Sequence, residues 1–524
     1  MSDRKLRWLG LGLAATAGAG VLGLSAMMDP AFAHADGGDV GLVIGGSGLP
    51  IPGSDYVYAA DQLYLDNPLH PIYSDITSFY QGTPATLTDP LAPYGNGLFT
   101  PEGLFPLGSA GVNQLLLNYP TDANGFPDLS SSVGQGMAIL ESTIASDAAN
   151  GDASTVFGYS QSATIASYVM QQLDPSGAPV DNSGLQFLLI GDPSNPNGGI
   201  LERFAGFETT SGQTVSDPLS LPSLGFVFDS ATPSDDYVTS IYSLEYDGFT
   251  DFPRYPLDFL SDLNAFLGIE TLHGTYLNGG VDGSGPTAEQ IANAILLPGS
   301  ENSLSDPCAE CLTNYYMIDE TPPLVSALPT SLQELLGPDL TYLINLGYGD
   351  GSLGYSVDAD SPANMDTPFG LFPDVNLSTV LSTLATDTEQ GFDNLMSGTD
   401  PYSAAVDSAS SATTSLPDLL SALEADAADP AASLTDFVNA LSSAGATLSG
   451  MFLSLTDIGN ALLTSAPSYE LGLFTDNLSS GDYLDAFGLP IAADTALNTL
   501  AGGFGYEVID TALTQIAADF SGLF

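Results

Sequence analysis

Residues 154–173 run Ser154-Thr-Val-Phe-Gly-Tyr-Ser160-Gln-Ser-Ala-Thr-Ile-Ala-Ser-Tyr-Val-Met-Gln-Gln-Leu173. The opening residues are β-branched or aromatic and spell a short strand, whereas Thr164 to Leu173 carries helical spacing. Between them lies Gly158-Tyr-Ser160-Gln-Ser162. A strand that breaks in one sharp turn and leaves as a helix is the setting of a nucleophile elbow, which lifts a serine hydroxyl above the end of a sheet. The flanking positions must be small because strand and helix pass close together there. Gly158 meets that demand, and Ser162, still small, stands where a second glycine is usual. The G-x-S-x-S string carries little alone; its place between strand and helix gives it weight.

Outward from this point the pattern is that of an α/β chain. Gly41 to Ile44, Val112 to Asn118, Thr155 to Phe157, Leu185 to Ile190 and Val238 to Leu244 read as strands, several apolar throughout, as strands covered on both faces are. Val133 to Ile144 and Leu257 to Leu267 read as helices. The expected fold is an α/β-hydrolase with a mostly parallel sheet flanked by helices. Its catalytic domain is expected over 36–300, followed by a Pro/Gly/aromatic extension over 301–376 packed on it. An Ala/Ser/Leu-rich helical region should fill 377–524, with Ser408 to Ser415 as a linker and Leu434, Phe437, Val438, Leu441, Leu448, Met451, Phe452 and Leu455 as a core seam.

Arg4, Lys5 and Arg7, an apolar Gly/Ala-rich stretch, and Ala31-Phe-Ala33 and Ala33-His-Ala35 follow the order of a secretory signal peptide, expected over 1–35, with an uncleaved anchor as the competing reading. Its removal would take three of five basic residues and two of 63 acidic ones, Asp3 and Asp29, leaving Arg203 and Arg254 against 61 acids, a net charge of −59. Such a surface repels phosphates, so nucleic acid is excluded as a partner, and any lipid contact has to be apolar. No later stretch has the length of apolar sequence that spans a bilayer, so no stable membrane span is expected once the signal is cleaved. Cys308 and Cys311 are the two cysteines, and in an exported chain Cys-Ala-Glu-Cys reads as a local disulfide. A zinc site would need a second Cys/His pair that the chain lacks, and Asp358 to Asp366 misses the glycine and glutamate of a calcium loop, so no metal is expected.

A serine nucleophile needs a base, and the histidines are His34, His70 and His273. Chain order in this fold runs nucleophile, acid, base, and His273 alone follows Ser160. The acid should end a strand between them. Tyr242 to Pro253 offers Asp247 and Asp251; the Gly248-x-x-Asp251-x-Pro253 turn favours Asp251, and Asp247 is then expected to pair with Arg254 or cap the next helix. An oxyanion hole can be drawn from the Gln161 N–H and from the backbone of Gly46 and Ser47 in Ile44-Gly-Gly-Ser-Gly48.

Together, Val43-Ile-Gly-Gly-Ser-Gly48, Phe157-Gly-Tyr-Ser-Gln-Ser162, Gly191-Asp-Pro-Ser-Asn-Pro-Asn-Gly-Gly-Ile200, Tyr246-Asp-Gly-Phe-Thr-Asp-Phe-Pro-Arg-Tyr-Pro256 and Leu272-His-Gly-Thr-Tyr-Leu277 resemble the PE-PPE domain of mycobacteria and related actinobacteria, a cutinase-like serine esterase. The resemblance spans roughly 40–376. It implies a Ser-Asp-His triad acting without a cofactor on short- to medium-chain acyl esters or lipids, or, as some relatives are thought to act, on acyl transfer to envelope sugar lipids such as trehalose esters. A non-catalytic envelope protein on the same scaffold is the alternative of another class. The leader stands where the common arrangement has a PE or PPE helical module, which implies secretion by the general route, with possible cell-envelope association.

Overall fold

The computed structural model describes residues 39–46, 54–67, 76–81, 132–173, 184–204, 220–221, 226–228, 230–303, 311–397 and 465–521, with Pro52 and scattered positions from 447 to 463. The expected signal peptide, the Val112 to Asn118 strand, the linker and the Leu434, Phe437, Val438, Leu441 and Leu448 part of the seam lie outside these residues; of the rest of the seam, Met451 and Leu455 pack against the core, whereas Phe452 is exposed.

Among the described residues, seven strands form the main sheet: β1 (Asp39–Val43), β2 (Ile76–Gln81), β3 (Ala153–Tyr159), β4 (Leu185–Ile190), β5 (Val238–Leu244), β6 (Ile295–Leu296) and β7 (Thr313–Ile318). Their spatial order is β2-β1-β3-β4-β5-β7-β6, parallel throughout except for β6, which runs antiparallel along β7 at the edge. The register sets Val43 beside Phe157, Tyr159 beside Ile190, and Ile190 beside Tyr242, so β3 and β4 end at one level, β1 stops two residues short of it and β5 runs two residues past it. The chain places β2 on one side of β1 and β3 on the other. Such a reversal opens a crevice beyond the carboxyl ends of the two strands flanking it, here β1 and β3.

The helices are α1 (Ser54–Ala60), α2 (Ser132–Asn150), α3 (Gln161–Leu173), α4 (Phe259–Thr271), α5 (Thr330–Leu346), α6 (Leu377–Ser397), α7 (Ser465–Ser480) and α8 (Tyr483–Ser521), with shorter turns between. Residues alternate across a strand, so each central strand feeds two cores. Phe187 and Leu189 of β4 join one cluster with Val156, Ile165 and Val169, whereas Leu188 and Ile190 join another with Phe157, Tyr242 and Tyr276. All four β4 residues are fully buried, which is why the run reads as continuously apolar.

Two expectations change. The stretch 301–376, expected as an extension packed on the domain, supplies β7, which pairs along β5 from Thr239↔Thr313 to Leu244↔Ile318 inside the sheet. Its flanking Pro and Gly residues disguise one buried strand, Thr-Asn-Tyr-Tyr-Met-Ile. The edge strand β2, Ile-Thr-Ser-Phe-Tyr-Gln, has no counterpart among the expected strands, being short and half polar. In the C-terminal region α7 and α8 pack on each other, and α8 lies on α4. No helix among the described residues is long and apolar enough to cross a membrane.

Helix α4 sits directly on the turn that follows β5. A Cβ on Gly268 would come 1.9 Å from the Tyr246 carbonyl oxygen, and one on Gly248 would come 2.4 Å from the Ala265 carbonyl oxygen. Backbone meets backbone on both sides, so neither contact can relax by a rotamer change. Gly268→Ala is therefore expected to destabilise the protein by about 1–3 kcal/mol or more, read as a lower midpoint in chemical denaturation.

Candidate active site

Ser160 ends β3 and precedes α3 with φ of +57°, a left-handed backbone that a non-glycine residue rarely holds. Its N–H donates to the Ile190 carbonyl at 3.1 Å, and its carbonyl accepts from Ala163 and Thr164 as the first turn of α3. The turn allows no bulk at Gly158, where a Cβ would come 2.8 Å from the Ser162 carbonyl oxygen. Ser162, in the position where a second glycine is usual, has a structural use. Its hydroxyl accepts from the Tyr159 N–H at 2.7 Å and lies 3.3 Å from the Ile44 carbonyl oxygen, tying the elbow to the end of β1.

The imidazole of His273 bridges two side chains. Its Nε2 lies 2.8 Å from Ser160 Oγ and its Nδ1 2.8 Å from Asp247 Oδ2. A carboxylate can only accept, so Nδ1 carries the proton and Nε2 presents its lone pair to the serine hydroxyl. His273 and Asp247 are buried and Ser160 is half-buried. His273 opens a short 3-10 turn, His273–Thr275, directly after α4, which brings the ring back over the ends of β3 and β5.

Asp251, favoured from the sequence, is not the residue against His273; Asp247 is. The physical reason is the winding of the turn. The N–H groups of Thr250 and Asp251 both donate to the Asp247 carbonyl, at 3.0 and 2.7 Å, so the chain coils back and residue 251 returns to the core. There Asp251 Oδ2 accepts from the Tyr246 N–H at 2.9 Å, holding Tyr246 at φ of +68°. Burial pushes the Asp251 carboxyl well above the usual range, against the opposing pull of this hydrogen bond and of the Arg203 charge. Asp251 thus shapes the turn that presents Asp247. Asp247 neither pairs with Arg254, whose Nη1 donates to Ser361 Oγ at 2.9 Å, nor caps α4, whose N-cap is Asp258.

Three further residues hold Asp247 and His273, and none stands out in the sequence as a candidate. Tyr276 donates its hydroxyl to Asp247 Oδ2 at 2.9 Å while accepting from the Leu244 N–H at 2.8 Å. Burial, and then the neighbouring Asp247 charge, push its phenol well up, so it remains a donor. Phe249 donates its N–H to Asp247 Oδ1 at 3.1 Å and sets its ring edge-on to the imidazole, centroids 4.6 Å apart. Tyr159 donates its hydroxyl to the His273 carbonyl. The available signal for Tyr276 is its position three residues after the histidine on one short turn; no sequence signal marks Phe249 or Tyr159.

Of the residues expected to line an oxyanion hole, Gln161 is the first residue of α3, directly after Ser160, where helix N–H groups lack carbonyl partners within the helix. Gly46 lies beside the elbow: a Cβ on it would stand 3.8 Å from Ser160 Cβ and 3.4 Å from the Tyr159 carbonyl oxygen. Ser47 lies outside the described residues. Cys311 is disulfide-bonded, and Cys308, the other cysteine of the sequence, lies outside the described residues. No cluster of His, Cys, Asp and Glu suited to a metal occurs among the described residues.

The PE-PPE domain pattern matches residues 94–349. Over 505 residues, 92% of this chain and 67% of the other, the sequence is 36% identical to the uncharacterized PPE family protein PPE28 of Mycobacterium tuberculosis. The chain belongs to the PE-PPE family. Two other relatives from the same organism are the PE family protein PE3, 35% identical over 67% of this chain and 61% of that protein, and a protein named Esterase PE16, 34% identical over 64% of this chain and 52% of that protein. The chain thus spans between about half and two thirds of the length of these relatives. No solved structure matches it. The matched PE-PPE segment holds Ser160, Asp247 and His273, whereas β1, which flanks the crevice, and the edge strand β2 precede it and α8 follows it.

The acid turn of this PE-PPE chain yields two predictions. Asp247→Asn should lower kcat by roughly 10⁴-fold, the size seen when the acid of a protease triad loses its charge. Asp251→Asn should keep kcat within about tenfold and lower the melting temperature instead. Steady-state kinetics and thermal melts on both variants separate the two roles. Glu245, between β5 and Tyr246, accepts from the Gly354 N–H at 2.8 Å, and burial followed by its Asp319 neighbour pushes its carboxyl from an ordinary 4.5 to about 9. The folded chain therefore keeps a proton that the unfolded chain releases, and stability contributed by Glu245 falls as pH rises from about 4.5 through about 9. Glu245→Gln should raise the melting temperature at about pH 8 more than at about pH 5, read by thermal denaturation at both.

Proposed function

We propose that the chain is a serine esterase that cleaves short- to medium-chain acyl esters through a covalent acyl-enzyme. The observation that carries this reading is the unbroken chain Ser160 Oγ, His273, Asp247, with 2.8 Å at each link, under a serine held left-handed at a strand-to-helix turn. Ser160 Oγ adds to the ester carbonyl carbon while its proton passes to His273 Nε2. The imidazolium formed is stabilised by Asp247, which Tyr276 and Phe249 keep in place. The role of holding the carbonyl oxygen as it gains charge is assigned to the N–H of Gln161, next after the nucleophile, and to the backbone at Gly46 beside the elbow. His273 then returns the proton to the leaving alkoxide, the C–O bond breaks, and an alcohol departs. Water repeats the sequence on the acyl-serine and releases the acid. No step calls for a metal or an organic cofactor.

Membership of a family that includes a protein named an esterase supports the reaction class. We also place the enzyme outside the cytoplasm, at or beyond the cell envelope, on the leader pattern of residues 1–35 and on a disulfide at Cys311, a bond that persists in oxidising compartments.

Purified protein should turn over p-nitrophenyl butyrate or hexanoate and react with a fluorophosphonate probe. Ser160→Ala should abolish both while melting like the parent. Turnover by that variant at near the parent rate, or a parent protein that neither labels nor hydrolyses, would remove the proposal.

A further inference from the structure

The C-terminal helix α8 reaches the catalytic histidine. Phe504 of α8 is buried with its ring centroid 5.1 Å from that of Phe249, and Phe249 lies edge-on to His273 at 4.6 Å. The three rings form one line from α8 to the imidazole. Phe504 shares an apolar cluster with Phe249, Ile269 and Leu500, and a Cβ on Gly503 would meet Ile269 Cδ1 at 2.8 Å, so α8 cannot move closer to α4. Glu507 lies three residues beyond Phe504, on the same helix face. It is half-buried and within electrostatic range of His273 and of Asp247.

We propose that α8, which lies outside the segment matching the PE-PPE pattern, completes the active site, with Phe504 and Glu507 as positioning residues for His273. This rests on the esterase reading. Phe504 backs the Phe249 ring, whose backbone N–H also orients Asp247. Deleting the Phe504 ring lets both partners of the imidazole shift together. Glu507, one turn beyond Phe504 on the same face of α8, adds a carboxyl that acts on the charge that the imidazole gains in the transition state.

The groups facing Glu507 are His273, Asp247 and Glu270 from the domain, Asp510 and Tyr506 from its own helix, and Tyr159 from β3. Burial pushes the Glu507 carboxyl up to about 7, with the His273 charge opposing and the surrounding acids reinforcing the rise. Below that pH it is neutral and contributes little. Above it the carboxylate favours the imidazolium, so the contribution of Glu507 to turnover grows as pH rises through about 7.

Four variants of the full chain, Phe504→Ala, Phe504→Leu, Glu507→Gln and Leu473→Ala, test this against p-nitrophenyl butyrate and a fluorophosphonate. Leu473 is buried on α7 and serves as a core deletion in the same helical region with no ring at the site. Phe504→Ala should lower kcat and the labelling rate by about 10- to 100-fold, the scale of a small misplacement of a catalytic group, with KM changed less than about threefold. Phe504→Leu should recover most of the loss, and Leu473→Ala should leave kcat near the parent value. The parent-to-variant ratio of kcat for Glu507→Gln should be at least about threefold larger at about pH 8.5 than at about pH 5.5. If Phe504→Ala turns over like the parent, or loses no more than Leu473→Ala, or if the Glu507→Gln ratio is flat with pH, the proposal fails while the esterase reading stands. If the parent itself neither labels nor hydrolyses, it is the esterase reading that fails.

Discussion

The turn at Ser160 is the constraint around which the site is arranged. A serine with φ of +57° is tolerated because its surroundings over-determine it: its N–H is taken by Ile190, its carbonyl starts α3, and Ser162 ties the same turn to β1. Helix and strand therefore meet without room for a Cβ at Gly158. The result is a hydroxyl raised at the end of β3, at the crevice made where the chain reverses its direction of strand addition. The remaining components come from the same end of the sheet, where β4 ends level with β3, β1 two residues before it and β5 two residues beyond it. Gly46 comes from the end of β1, Gly191 from the end of β4, and Asp247 from the turn after β5. Gly191 has φ of +55°, and a Cβ added to it would come 3.2 Å from His273 Cε1, so the imidazole has a floor that nothing larger could supply.

Asp247 and His273 are held from three directions by groups with little freedom. Asp247 has both oxygens occupied, by His273 and Tyr276 at one and by the Phe249 N–H at the other. Tyr276 in turn accepts from the Leu244 N–H, so it is fixed to the strand that precedes the acid. Buried acceptors and donors left unmatched would cost about 1–3 kcal/mol each, and here they are matched to one another. Behind this set lies a second carboxyl, Asp251, whose work is to hold Tyr246 in its left-handed turn. Arg203, fully buried among Asn197, Phe252, Ser356 and Thr367, supplies the positive charge near it. In a chain with so few cations, one of them stabilises the framework of the acid turn rather than a substrate.

The C-terminal helices enter the same arrangement by way of α4. That helix bears Gly268 against the turn after β5 on one side and Ile269 against α8 on the other, and it leads into the short turn that His273 opens. Packing on α8 is thus mechanically close to the base, although α8 lies more than two hundred residues further along the chain. A close-packed interior transmits small displacements rather than absorbing them.

Local pattern settled a good deal without any structure. The strand at Leu185 to Ile190 is legible from its apolar Phe187 to Ile190 run, covered on both faces, that at Val238 to Leu244 from its β-branched and aromatic residues, and the elbow because a strand, a small residue, a serine and a helix follow one another within twenty positions. The scarcity of histidine narrowed the base to His273 for the same kind of reason, that few residue types can do the work. Tertiary structure alone decided between Asp247 and Asp251. Both sit in one turn with similar neighbours, and what separates them is the coiling of the Asp247 to Asp251 segment against α4, a contact between segments that no local pattern encodes. The same holds for β7, hidden among Pro and Gly until β5 pairs with it, and for Phe504, which meets the site only because distant helices stack. Sequence specifies what depends on neighbours along the chain, and the choice among equivalent residues falls to neighbours in space.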